Sequence, residues 1–396
     1  MPQLSPPQAA AIASAVYDLR ENSVSGVSGT PSLTKRASNP IGIKGMFATS
    51  DSDQLRGVSG VLAWTEITGF GYIAQGLKGT AYEDEALVAL RGTDITPDWL
   101  TDANIGVTAG PTGSAVHLGF NTTWKSFAPK IQTYFGNHKP KLIHCVGHSL
   151  GGALATLTAD YLKSHTGAFV ELYTFGCPRV GGYPFATALT EKLTSQRIHR
   201  VFHPADPVPM VPLFPFLHVP IGGDGLALAI DETTRISPDA HKMDVTYVPG
   251  VADKSWAQLK ANGAQTLSDR QIRSWLKRAG EGGGVIAFGA RTSELISIAL
   301  DWILRQVGTG VLIGLQAVIG GGITLVDQLA YLLHRGVETS VEVAGYVKSI
   351  VAAIMKFAGR AIKKGVSLTL QFIRYVLDIL MTTMRMMVRG ALIALL

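Results

Sequence analysis

The chain has 396 residues, 46% of them hydrophobic, which is enough for more than one packed core and excludes a disordered polypeptide. Only 16% are charged and the mean hydropathy is +0.23, a balance that leans toward packed or membrane-facing surface. The net charge of +6 is not interleaved with aromatics in any nucleic-acid module, so nucleic acid is set aside as a partner and an anionic lipid surface is the expected counter-surface.

The first residues carry no early Lys or Arg and no continuous apolar run, so no Sec signal peptide is expected; instead Ser5 before Pro6 and Pro7 reads as a cap opening a helix to about Glu21. Residues 22–40 are loop-like in their Ser, Gly, Pro and Asn content. VLAWTEITGFGYIAQG, from Val61, offers one or two antiparallel edge strands. From Ala86 to about Pro249, short apolar runs (ALVAL, LIHCVG, AFVELYTFG) alternate with helical patterns, the signature of an α/β layered domain with a largely parallel sheet. Cys145 and Cys177 both fall in apolar strand-like runs and read as buried thiols.

Within this region GHSLG, residues 147–151, places Ser149 between glycines two before and two after, behind a strand and ahead of a helix. That is the pattern of a nucleophile elbow, in which a tight turn exposes a serine and the following helix N-terminus points N–H groups at a developing oxyanion. A serine nucleophile needs a base and an orienting acid, which in this arrangement follow in the order Ser, Asp, His. Asp206 stands in HPADPVP after a strand-like RVFH run, and His241 follows in DAHKMD. His218 competes with His241 as base, while His203, on the run before the acid, reads as structural. His117, His144 and His148 read as packing residues. There is no H-E-x-x-H and no calcium-loop spacing of carboxylates, so neither a metal nor another cofactor is expected.

Taken together, LVALRGT (87–93), DWLTD (98–102), VHLGF (116–120), GHSLGGALATL (147–157), TFGCPRVGG (174–182) and HPADPVP (203–209) resemble the class 3, fungal-type lipases of the α/β-hydrolases over roughly residues 60–250. The resemblance implies an α/β-hydrolase fold and a serine ester hydrolase acting on lipid esters, phospholipid or acylglycerol. Carried over position by position, it implies Ser149 as nucleophile, Asp206 as acid, His241 as base at the family's spacing, and an oxyanion hole formed by the backbone N–H groups of Thr93 and Leu150. It also places a lid between Thr93 and VHLGF, here acidic and weakly apolar, with Trp99, Leu100 and Ile105 as its large apolar residues. Interfacial activation by that lid is therefore not expected. The Pro-stiffened segment 208–217 is either an acyl-chain wall or a buried loop.

Ser268 and Gln271 form a capping box for a helix ending near Gly280, followed by a Gly-rich hinge. These signals divide the chain into a lipase domain over 1–255, a capped helix and hinge over 256–290, and an all-helical, membrane-seeking region over 291–396. Residues 307–326 run twenty positions without a charge, long enough to span hydrocarbon, though six glycines suit a re-entrant or buried helix equally. Lys348, Lys356, Arg360, Lys363 and Lys364 oppose Ile350, Ile354, Phe357, Ala361 and Ile362, which predicts one basic amphipathic helix lying on anionic lipid. From Arg335 onward nine basic and three acidic residues carry a net charge equal to that of the whole chain.

The expected protein is a membrane-associated lipid-ester hydrolase. The alternative is a pore-forming or scaffold protein with a vestigial hydrolase domain. Class 3 lipases include antibacterial effectors of contact-dependent secretion systems, so the resemblance also implies export without an N-terminal signal and an immunity or chaperone protein as partner.

Overall fold

The computed structural model describes residues 3–19, 43–50, 53–59, 66–92, 106–212, 216–221, 225–228, 236–261, 268–282, 290–307, 324–362 and 365–393. The first helix, α1 (Pro6–Ala15), opens on the Ser5–Gln8 capping box and gives way to a 3₁₀ turn over Val16–Leu19, so it is shorter than its sequence pattern suggests. Its Ala and Ile residues are buried on nearly every side, because α1 packs across strands of the central sheet rather than on the surface.

The sheet strands are β1 (Phe47–Ala48), β2 (Gln54–Ser59), β3 (Glu66–Gly76) and β4 (Glu85–Leu90). A small hairpin, β5 (Val107–Ala109) with β6 (Ala115–His117), leads into helix α2 (Leu118–Asn137). There follow β7 (Leu142–His148), α3 (Leu150–His165), β8 (Phe169–Phe175), α4 (Tyr183–Leu193), β9 (Ile198–Phe202) and β10 (Leu226–Ala227). Among the described residues the sheet order is β1-β3-β4-β7-β8-β9-β10, with β2 also paired to β3. β4, β7, β8, β9 and β10 run parallel, and β3 joins them antiparallel with β1 and β2 beside it. Every residue of β4 and β7 is buried, as expected of strands covered on both faces.

The remaining helices are α5 (Val248–Val251), α6 (Trp256–Ala261), α7 (Asp269–Gly280), α8 (Ala290–Val307), α9 (Leu325–Thr339), α10 (Val341–Phe357) and α11 (Leu370–Ile393). The Ser268–Gln271 capping box is present, and the chain turns at Gly282 with φ +85°.

The tail differs from its sequence pattern in one respect. The basic amphipathic helix does not continue to Lys364: α10 stops at Phe357, and Gly359 takes φ +69°, a conformation that ends a helix. Ile350, Ile354 and Phe357 are buried among neighbouring helices, whereas Ala361 and Ile362 are exposed beyond the helix end. In α11, Val376, Leu380, Met384 and Val388 recur at i, i+4 spacing and are buried. These residues join Val208, Met210 and Val211 in one apolar core, so the helical region packs directly on the α/β part of the chain. Among the described residues no helix is long and apolar enough to cross a membrane; the uncharged run reaches into 308–323, outside the described residues.

Candidate active site

The elbow follows from the crowding around Ser149. The serine takes φ 57° and ψ −132° between β7 and α3. A Cβ on Gly147 would stand 2.2 Å from the Gly151 carbonyl oxygen, and one on Gly151 would stand 2.3 Å from the Leu90 carbonyl oxygen. Both are backbone obstacles that cannot rotate away, so strand, turn and helix close on one another only with glycine at both positions. Leu150 is the first residue of α3, whose N-terminal N–H groups face the serine end of the turn.

Asp206 lies just beyond β9, and His241 ends the short turn Pro238–His241 after β10. All three side chains therefore emerge at the carboxyl ends of parallel strands, where such sheets build their sites. His241 Nε2 lies 2.9 Å from Ser149 Oγ, and His241 Nδ1 lies 2.7 Å from Asp206 Oδ2. Ser149 is 3% exposed, and Asp206 and His241 are fully buried. The second Asp206 oxygen accepts the Val208 N–H at 2.9 Å, which fixes the carboxylate plane.

Three residues support this chain of hydrogen bonds without a signal in the sequence. Tyr247 Oη donates to Asp206 Oδ2 at 2.5 Å and accepts the His203 N–H at 3.3 Å. Burial, then the Asp206 charge, holds the Tyr247 phenol well above its ordinary pKa, so it stays a donor. His148, read from sequence as packing, lies with its ring centroid 4.6 Å from that of His241. Burial, then the neighbouring His241, holds it well below the usual imidazole range. As a neutral ring it donates from Nε2 to the His241 carbonyl at 2.8 Å and accepts at Nδ1 from Tyr17 Oη at 2.8 Å. Tyr17 comes from the N-terminal turn, far away in sequence.

The structure brings His241, not His218, to Ser149. His218 Nε2 faces the Pro209 carbonyl at 2.8 Å, and burial, then Arg200 and Arg179, holds the ring well below its usual pKa. His203 accepts the Ala205 N–H at Nδ1. His144 pairs with Glu85 at 2.7 Å near the opposite ends of the strands, and His117 packs its ring on Phe120 and Phe216. Thr93 and the lid residues up to Ile105 lie outside the described residues. Cys145 and Cys177 are free and buried, and burial pushes the Cys177 thiol up to about 12. Among the described residues no group of three or more His, Cys, Asp or Glu is placed to hold a metal ion.

Comparison with known proteins gives, among others, three relatives of part of the chain. The secreted mono- and diacylglycerol lipase 1 of Fusarium solani is 38% identical over 134 residues, 32% of this chain and 39% of that protein. The secreted mono- and diacylglycerol lipase A of Penicillium cyclopium is 29% identical over 214 residues, 52% of this chain and 65% of that protein. Toxin TseL of Vibrio cholerae serotype O1 is 36% identical over 101 residues, 25% of this chain and 15% of the toxin. The chain thus spans less than two thirds of the length of each of these relatives. The model of the family "Lipase (class 3)" matches residues 87–216, from β4 through the elbow to beyond Asp206, so this segment of the chain is similar to the class 3 lipases.

Proposed function

We propose that the chain is a serine ester hydrolase acting on lipid esters, acylglycerol or phospholipid, through Ser149, His241 and Asp206. The observation that carries this reading is the continuous hydrogen-bond chain from Ser149 Oγ through both ring nitrogens of His241 to Asp206. Ser149 Oγ attacks the ester carbonyl as its proton passes to His241 Nε2, and Asp206 holds the Nδ1–H and stabilises the imidazolium. The Leu150 N–H, with that of Thr93, takes the oxyanion charge. His241 then protonates the leaving alcohol, and a water activated by the same Nε2 releases the acid from the acyl-enzyme. The family match and the names of the two fungal relatives support lipid esters as the substrate class.

The basic residues of the helical region support contact with an anionic membrane surface. Lys348, Lys356, Arg360 and Arg389 are exposed, as are the apolar Ile362 and Met386. Similarity to a toxin motivates delivery as an exported effector with an immunity protein as partner. The test of the enzymatic reading compares the protein with Ser149→Ala on vesicles of mixed phospholipid and diacylglycerol, with released fatty acid measured by mass spectrometry. Fatty acid should appear with the unaltered protein alone; equal release by Ser149→Ala would reject the reading.

A further inference from the structure

Resting on the Ser149–His241–Asp206 reading, we infer that α11, at the far C-terminal end of the chain, is a positioning element for the histidine base. Three supports bear on the turn Pro238–His241. Ser237, just before it, donates its N–H to the Ala205 carbonyl at 3.0 Å, tying the turn to the loop of the acid. His148 donates to the His241 carbonyl at 2.8 Å. The third support comes from outside the α/β sheet, where α11 packs against the turn. At the seat, among the described residues, a Cβ placed on Gly390 would meet Pro238 Cγ at 3.7 Å, ordinary van der Waals contact.

The acid is held by the same region. α8 and α11 pack against Val208–Met210, the turn whose first N–H binds Asp206 Oδ1 at 2.9 Å, and Ser293 Oγ of α8 donates to Met210 Sδ at 2.8 Å. The helices thus press on both turns that set the separation of acid and base, and an acyl-transfer site is sensitive to displacements of that kind. α11 does not touch the reacting atoms; it acts through Pro238. A side chain larger than alanine at Gly390 that is directed at Pro238 would press on the turn and, through it, shift His241 Nε2 relative to Ser149 Oγ.

The test is a graded series in the full chain, Gly390→Ala, Gly390→Val and Gly390→Leu, assayed on a soluble p-nitrophenyl ester, with thermal melting and with the rate of Ser149 labelling by a fluorophosphonate. The expected result is a stepwise fall in kcat with added volume, at least tenfold for Leu, with KM within twofold and labelling slowed in parallel. Adding Pro238→Ala to Gly390→Leu should restore most of the lost kcat. Val376→Ala, fourteen positions and therefore about 21 Å back along α11, opens the core away from the turn; it should lower Tm and leave kcat within twofold. Should Leu fail to fold, Val decides. Wild-type kcat in a folded Val or Leu variant, or an equal loss of kcat in Val376→Ala, would overturn the inference. Undiminished turnover by Ser149→Ala would instead sink the triad reading, whatever the Gly390 series shows.

Discussion

Tyr247 Oη and His241 Nδ1 converge on the same oxygen, Asp206 Oδ2, at 2.5 and 2.7 Å. The carboxylate that orients the base is itself oriented by a buried phenol. Tyr247→Phe keeps the ring and removes one hydrogen bond to a charged group, a contribution of about 1.5–3 kcal/mol. If about half of that is felt in the transition state, kcat falls roughly three- to tenfold while the fold is kept. Steady-state kinetics on a soluble ester together with circular dichroism melts check this; unchanged kcat would show the phenol to be a spectator.

His148 bridges the His241 carbonyl and Tyr17 Oη, so His148→Phe removes two hydrogen bonds at once. Each contributes about 0.5–1.5 kcal/mol net. Tyr17→Phe breaks one of the two bonds and should be about half as destabilising. Denaturant unfolding of both variants tests the ranking, and a Tyr17→Phe variant less stable than His148→Phe would contradict it.

The Ser149 elbow, the turn carrying Asp206 and the alternation of strands and helices were legible because each rests on local chemistry, whereas His241 stood out from His218 only by the spacing that the family resemblance implies. Gly147 and Gly151 mark a close backbone approach, D-P-V-P marks a turn, and apolar runs mark buried strands. Tyr17, Tyr247 and the role of His148 were not legible, because their contacts span 131, 41 and 93 positions and no local pattern encodes the meeting. The tail misled for a related reason. A stripe of Ile350, Ile354 and Phe357 opposite lysines looks the same whether its apolar side meets lipid or other helices, and only the fold shows the helices.

Acid should destabilise the protein in a defined window. Burial lowers His117 from 6.5 to about 3 and holds His148 and His218 well below 6.5. Below pH 6.5 the unfolded chain therefore binds protons that the folded chain refuses, so stability falls as pH drops and this contribution is flat above 6.5. Each such group approaches a slope of about 1.4 kcal/mol per pH unit below that point. His117→Phe should flatten the slope between pH 6.5 and 5 by up to one proton's worth in denaturant titrations. An unaltered slope would show that His117 is not refused a proton in the fold.

Membrane contact through exposed cations should be screened by salt. Lys348→Glu with Arg389→Glu should weaken binding to anionic vesicles at low ionic strength by at least tenfold, with each lost cation contributing about fivefold. Turnover of a soluble ester should be unchanged. Sedimentation with phosphatidylglycerol vesicles measures this, and equal binding by the double variant would place the lipid contact elsewhere.

Acyl transfer at Ser149, driven by His241, is tested most directly by acid-quenching the reaction with a slowly deacylating p-nitrophenyl ester and locating the acyl group by peptide mass spectrometry. The geometry predicts an acyl mass on the peptide containing Ser149 in the unaltered protein, with none in Ser149→Ala and almost none in His241→Ala. Full acylation of Ser149 in His241→Ala, or an acyl group on another residue, would contradict it.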